Sequence, residues 1–216
     1  MKTMSNSEVR ALLMELTGAH WVAVGFHKEK PRGMKVSAPE AFCSAAAGAI
    51  TVSSLLKVSD IPCGGLKYAF NFPGAKTPVL GSFIPGRLHP LINPQAAVGG
   101  KPRLAFSPQY LSFNAPDSRA DLYLSFMLLE SASEMAQVWS SVSGKKPNCK
   151  FNGVMSFCSE GAAEAMNSRT PTLALGCSKA IRTAGLQGQV CVCLPEKDAL
   201  KLAAAWARKS AAGAVA

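Results

Sequence analysis

The chain contains two similar nine-residue stretches, and this repetition restricts its fold more than any other feature. FCSAAAGAI at residues 42–50 and FCSEGAAEA at residues 157–165 share Phe, Cys, Ser and a later Ala in register. The next cysteine lies 20 residues after Cys43, at Cys63, and 19 residues after Cys158, at Cys177. An internal repeat indicates one structural unit used twice. We therefore expect two similar fused halves related by an approximate twofold axis.

Hydrophobic patterning predicts an α+β or α/β fold, in which helices pack on a mixed sheet. Runs of β-branched, aromatic and aliphatic residues predict strands at 20–26, 121–129 and 189–194. Helical spacing predicts helices at 42–50, 131–142, 157–166 and 196–209. A further amphipathic helix is expected near the amino terminus, with Ser5, Asn6 or Ser7 as its cap and Gly18 as its end.

Eight prolines fall between Pro73 and Pro116, so we expect only short edge strands there, at 104–106 and 110–113. This segment is predicted to be an insertion that wraps around the core or faces a substrate. The expected organisation is an N-terminal helix (1–19), a first half (20–146) with the proline-rich insertion (71–120), a second half (147–210) and a frayed tail (211–216).

Composition narrows the class of protein. Charged residues make up 17% and apolar residues 48%, which predicts a sizeable core and surface available for subunit contacts in a homo-oligomer. The net charge of +10 suggests an anionic partner. The basic runs lie in expected loops and aromatic residues make up only 7%, which argues against nucleic acid as that partner. With no export signal and no apolar run of roughly 20 residues, we expect a cytoplasmic protein that does not enter a membrane.

Seven cysteines in a reducing compartment favour metal or redox chemistry over disulfides. If the two halves pack about a twofold axis, Cys43, Cys63, Cys158 and Cys177 could converge on one centre. Four thiolates suit an iron–sulfur cluster, with tetrahedral zinc as the alternative. The competing interpretation is that all four are small buried hydrophobic residues in equivalent positions. Cys191 and Cys193 alternate with aliphatic residues and are expected to pack in the core.

The residues beside the paired cysteines suggest ligand contacts. Gly64 and Gly65 would let a ligand approach the backbone. Lys67, Lys179 and Arg182 could neutralise a cluster, bind a carboxylate or phosphate, or end a helix in solvent. Two other functions therefore stay open: a metal-free protein that binds a small anion between its halves, and a thiol-dependent enzyme with Cys63 as nucleophile. The three histidines form no metal motif, no standard catalytic motif is present, and a redox partner would accompany the metal hypothesis.

Several of these segments together resemble the uncharacterised family catalogued as domain of unknown function 169, also called ArCR. The resemblance rests on VAVGF, the two cysteine-bearing segments, DIPCGG at 60–65, the turn at 115–117, residues 177–182 and LPEKDALKL at 194–202. The matching positions are Cys43, Cys63, Cys158, Cys177 and Arg182. The resemblance implies the two-part architecture and no established activity.

Overall fold

A computed structural model describes residues 4–49, 53–76, 100–116, 118–150, 155–176, 181 and 184–213. Seven strands within these residues form one sheet: β1 (Trp21–His27), β2 (Ser54–Lys57), β3 (Tyr110–Phe113), β4 (Leu122–Leu128), β5 (Asn148–Lys150), β6 (Thr172–Leu175) and β7 (Gln189–Pro195). Their order across the sheet is β2-β3-β1-β4-β7-β6-β5. Neighbouring strands are antiparallel except for the parallel pair β5–β6. The sheet is therefore mixed.

The described residues also form six α-helices and one π-helix. The α-helices are α1 (Asn6–Thr17), α2 (Phe42–Gly48), α3 (Gly64–Ala69), α4 (Leu129–Ser143), α5 (Glu164–Ser168) and α6 (Glu196–Gly213). The π-helix covers Ser156–Ala163 and leads directly into α5. The expectation of a mixed α+β fold is confirmed.

Local signals define the ends of α1. The Ser5 side chain accepts a hydrogen bond from the Glu8 backbone N–H, and the Glu8 carboxylate accepts one from the Ser5 backbone in return. This reciprocal capping satisfies two amide groups that the helix itself cannot pair. At the other end, Gly18 takes a left-handed conformation with φ of 67°, which favours glycine. Both ends agree with the sequence prediction.

The sheet separates two apolar cores. Val22, Val24 and Phe26 of β1 face a first core, which α2, α3 and the π-helix cover. Trp21 and Ala23, which alternate with them, face a second core under α1, α4 and α6. Because helices cover both faces, the central strands are apolar at nearly every position. Cys191 and Cys193 of β7 are fully buried in the first core, as predicted.

The proline-rich segment differs from its prediction in two respects. Residues 104–106 form no strand, and β3 lies between β1 and β2 instead of at an edge of the sheet. Pairing on both sides is available to β3 because none of its four residues is a proline. Residues 77–99 of this segment lie outside the described residues. None of the helices that are described has the length and apolar character to cross a membrane.

Candidate functional site

Three of the four repeat-related cysteines border the first core. Cys158 is buried within it, on the π-helix, and Cys43 of α2 and Cys63 pack against it while half-exposed. Cys63 stands immediately before α3 in extended conformation. The fourth cysteine, Cys177, lies outside the described residues, as do Lys179 and Arg182. The fold thus brings the described members of the set to one face of the sheet.

Lying on the same face of the sheet does not by itself bring these cysteines close enough to form a metal centre. Among the described residues, no three His, Cys, Asp or Glu side chains are grouped closely enough to hold a metal ion. The Cys158 thiol donates a hydrogen bond to the Met155 carbonyl, with Sγ and O 3.7 Å apart. The described side chains alone therefore do not fit a cluster or a zinc ion.

The residues near Cys63 that were predicted to contact a ligand differ in how accessible they are. Gly64 is exposed with open space where a side chain would stand, and Gly65 is buried. The Lys67 ammonium donates to the Ser59 carbonyl over 2.7 Å. This bond holds the end of the Lys67 side chain against the backbone that precedes α3.

The π-helix carries an ion pair that the sequence did not suggest. The Lys101 ammonium contacts the Glu160 carboxylate at 2.5 Å, and both side chains are less than one-tenth exposed. The Ser156 hydroxyl donates to the other Glu160 oxygen over 3.0 Å. Because a charge buried without a partner costs several kcal/mol, this pair ties the segment after residue 100 to the π-helix. Nothing in the spacing of Lys101 and Glu160 indicated their contact, since 59 residues separate them.

A second polar site lies on the opposite face of the sheet, at the end of β1. The His27 imidazole Nε2 is 2.7 Å from the Ser112 hydroxyl of β3, and Ser112 is only 1% exposed. Between them on β1 is Gly25, which pairs with Ser112 in the register. A Cβ atom at Gly25 would lie 2.6 Å from both His27 Nε2 and Ser112 Oγ. Glycine at this position leaves the space in which the His27–Ser112 hydrogen bond forms.

His27 also lines a cavity of about 400 Å³. One wall is the loop Pro31–Met34, including Arg32, and the other is the turn that contains Ala115, Pro116 and Ser118. Arg32 belongs to the basic run Lys28, Lys30, Arg32 and Lys35, in which Glu29 is the one acidic residue. The residues that line the cavity therefore include a histidine, an arginine and a serine, and Arg32 is the charged residue of its loop wall.

Asp121 adds a negative charge near His27. Its carboxylate accepts a hydrogen bond from the Phe26 N–H over 2.8 Å, and its own N–H donates to the Val24 carbonyl. Burial of the carboxylate raises the pKa of Asp121, although the residue as a whole is exposed. Burial lowers the pKa of His27, and the Asp121 charge opposes that shift. Asp121 is absent from the residues that line the cavity.

Sequence reasoning considered His27 only as a metal ligand and missed its neighbours. His27, Ser112 and Asp121 are 85 and 9 residues apart along the chain, and the register of β1 with β3 unites the first two. One local signal was present: Gly25 lies inside the strand expected at 20–26, and a glycine inside a strand often marks close approach of another group.

Comparison with known proteins finds no matching family model, no matching curated protein and no matching solved structure. The resemblance to domain of unknown function 169 stays a prediction.

Proposed function

We propose that this chain binds a small anionic molecule in the cavity beside His27. The observation that carries the proposal is the cavity itself, in which Arg32 and His27 both line a space of about 400 Å³. This volume falls within the usual range for small-molecule sites, which are concave and carry a few oriented polar groups. A guanidinium recognises carboxylate and phosphate oxygens through paired N–H groups.

The surroundings of the cavity favour an anion over a neutral molecule. Lys28, Lys30 and Lys35 flank Arg32 in the sequence and are exposed, so they add positive potential to the segment that forms one wall of the cavity. The Ser118 hydroxyl and the half-exposed His27 imidazole supply uncharged hydrogen-bonding groups within the site. This site differs from the predicted one beside Gly64, Gly65 and Lys67, but the chemical class of ligand is the same.

The test is a binding panel on the intact chain with sulfate, phosphate, acetate and succinate, read by thermal shift and titration calorimetry. Binding to the native state raises the melting temperature. Arg32→Gln should weaken the best ligand about 10-fold to 100-fold, because a hydrogen bond to a charged group contributes roughly 1.5–3 kcal/mol. Lys35→Gln is the matched control, since it removes the same charge from the same loop but is not a lining residue.

Two results would overturn the proposal. One is that none of the four anions binds. The other is that Arg32→Gln and Lys35→Gln weaken binding equally, because the loop would then act only through its total charge.

A metal centre is the second candidate function, and one observation favours it: Cys43, Cys63 and Cys158 all border the first core. We infer that the chain is a duplicated unit and that an iron–sulfur cluster, or zinc, would be held by cysteines of both copies. The strand order supports a duplication, because β2-β3-β1 and β6-β7-β4 are two antiparallel series that meet at the β1–β4 pair. This division assigns β4 to the second copy, whereas the predicted first half (20–146) includes it. The described thiols would have to move together and lose their protons for binding.

A further inference from the structure

The hydrogen bonding of His27 bears on how an anion would be held. Nε2 is occupied by the Ser112 hydroxyl, and Nδ1 has no hydrogen-bond partner among the described residues. A hydroxyl can donate to a neutral imidazole nitrogen, or accept from a protonated one after rotation of its hydrogen. Ser112 can therefore serve His27 in either protonation state without moving a heavy atom.

We infer that each anion entering the cavity is accompanied by one proton, taken up by His27, so that the bound form is an anion beside an imidazolium. This inference rests on the proposed function, since it concerns the same cavity. The proton comes from solvent, binds to the imidazole nitrogen that was unprotonated, and no other bond changes. The ligand class is thereby narrowed to anions that are fully ionised near neutral pH, because these gain most from a second cation beside Arg32.

The protonation state before binding agrees with this inference. Burial lowers the pKa of His27, so the empty site holds a neutral imidazole at pH 7.5. An anion in contact with the ring favours its charged form and raises that pKa. By linkage, affinity should then fall as pH rises, by up to tenfold per unit between the pKa of His27 in the empty site and its pKa in the complex.

Other charged groups lie near His27, and proton uptake by His27 has to be distinguished from proton uptake by these groups. They are Asp121 before β4, Arg32 in the cavity wall, Arg119, which pairs with Glu196, and the chain neighbours Lys28 and Glu29. Among the groups just named, Asp121 competes most directly for the proton, because burial raises the pKa of its carboxyl as well. Arg32 is the cation of the cavity wall whose charge the anion would neutralise.

The experiment is calorimetric titration of the intact chain with sulfate, which has no proton of its own to exchange near pH 7.5. Amine buffers of different ionisation enthalpy (Tris, triethanolamine and bis-Tris) give the number of protons taken up from the dependence of the observed heat on the buffer. We expect close to one proton for the wild type and for Asp121→Asn, and none for His27→Gln. NMR titration of the wild type provides a measurement that needs no variant: sulfate should raise the pKa of His27 from below the pH of the calorimetric titration to well above it.

The outcomes separate this inference from the proposed function. Sulfate that binds without proton uptake, or whose uptake persists in His27→Gln and disappears in Asp121→Asn, overturns the inference and leaves anion binding intact. An unchanged His27 pKa in saturating sulfate does the same. Failure of every anion in the panel to bind overturns both.

Discussion

Replacing Gly25 with alanine should break the His27 site from within the sheet. The new Cβ would lie 2.6 Å from both His27 Nε2 and Ser112 Oγ, a separation too short for either contact. Ser112 is buried and belongs to a strand paired on both sides, so its hydroxyl cannot withdraw into solvent. We expect the His27 imidazole to change its rotamer and leave the Ser112 hydroxyl without its hydrogen-bond partner.

Two costs contribute to the expected loss of stability. Overpacking of a buried position costs about 1–3 kcal/mol, and a buried hydroxyl that loses its hydrogen bond costs about 1–3 kcal/mol. Since the ring can relieve part of the crowding by moving, the free energy of unfolding should fall by about 2–4 kcal/mol. For a chain of this length that corresponds to a melting temperature lower by roughly 5–15 °C.

Urea denaturation of Gly25→Ala measures this loss, and Gly64→Ala is the control. Gly64 begins α3 with nothing within 4 Å of its absent side chain, so alanine there should change stability by about 1 kcal/mol or less, in the stabilising direction. In a Ser112→Ala background, the Gly25→Ala substitution should cost less, because one of the two crowded atoms is gone. Gly25→Ala with wild-type stability and an unchanged His27 resonance would refute the reasoning.

Two predictions concern the other face of the sheet. Lys101→Met should lower the free energy of unfolding by about 3–5 kcal/mol, because it leaves the Glu160 carboxylate buried without a cation. The double variant Lys101→Met/Glu160→Met should recover much of that loss in urea denaturation, and additive losses would show that the two residues do not act as a pair. Anaerobic purification with iron, sulfide and zinc analysis and a visible spectrum tests the metal hypothesis. Cys63→Ser and Cys177→Ser should lower metal content far more than Cys191→Ser, and a folded, colourless, metal-free wild type contradicts the hypothesis.

The features that sequence reasoning predicted well are those set by neighbours along the chain. Ser5 and Gly18 mark the ends of α1 because capping involves residues within one helical turn. The alternation of Cys191 and Cys193 with aliphatic residues placed both on one face of β7, since side chains of a strand alternate between its faces. The helix predicted at 131–142 ends within one residue of that bound, at Ser143, and Gly144 follows it in left-handed conformation. These inferences needed no knowledge of the rest of the fold.

The features that were missed depend on contacts between distant segments. The helix predicted to begin at residue 131 begins two residues earlier, at Leu129, directly from β4 and without a side-chain cap. The helix expected at 157–166 begins as a π-helix, a choice that its small residues alone do not reveal. The Lys101–Glu160 pair and the His27–Ser112 hydrogen bond both result from how segments are joined in space. The one local sign of either contact was the glycine at position 25, inside the strand expected at 20–26.

The two outer strands of the sheet have a consequence for how the protein behaves when concentrated. β2 has four residues. Ser37 donates its backbone N–H to the Leu55 carbonyl of β2, and the Ser37 hydroxyl accepts a hydrogen bond from the Leu55 N–H. These two bonds partly cap the outer edge of β2. At the opposite rim, β5 has only three residues and ends in Lys150. Short, capped or charged rims offer a poor template for strands of another molecule, which is how native sheets resist intermolecular β-pairing. Within the part of the sheet that is described, self-association should therefore proceed through side-chain surfaces and not through extension of the sheet.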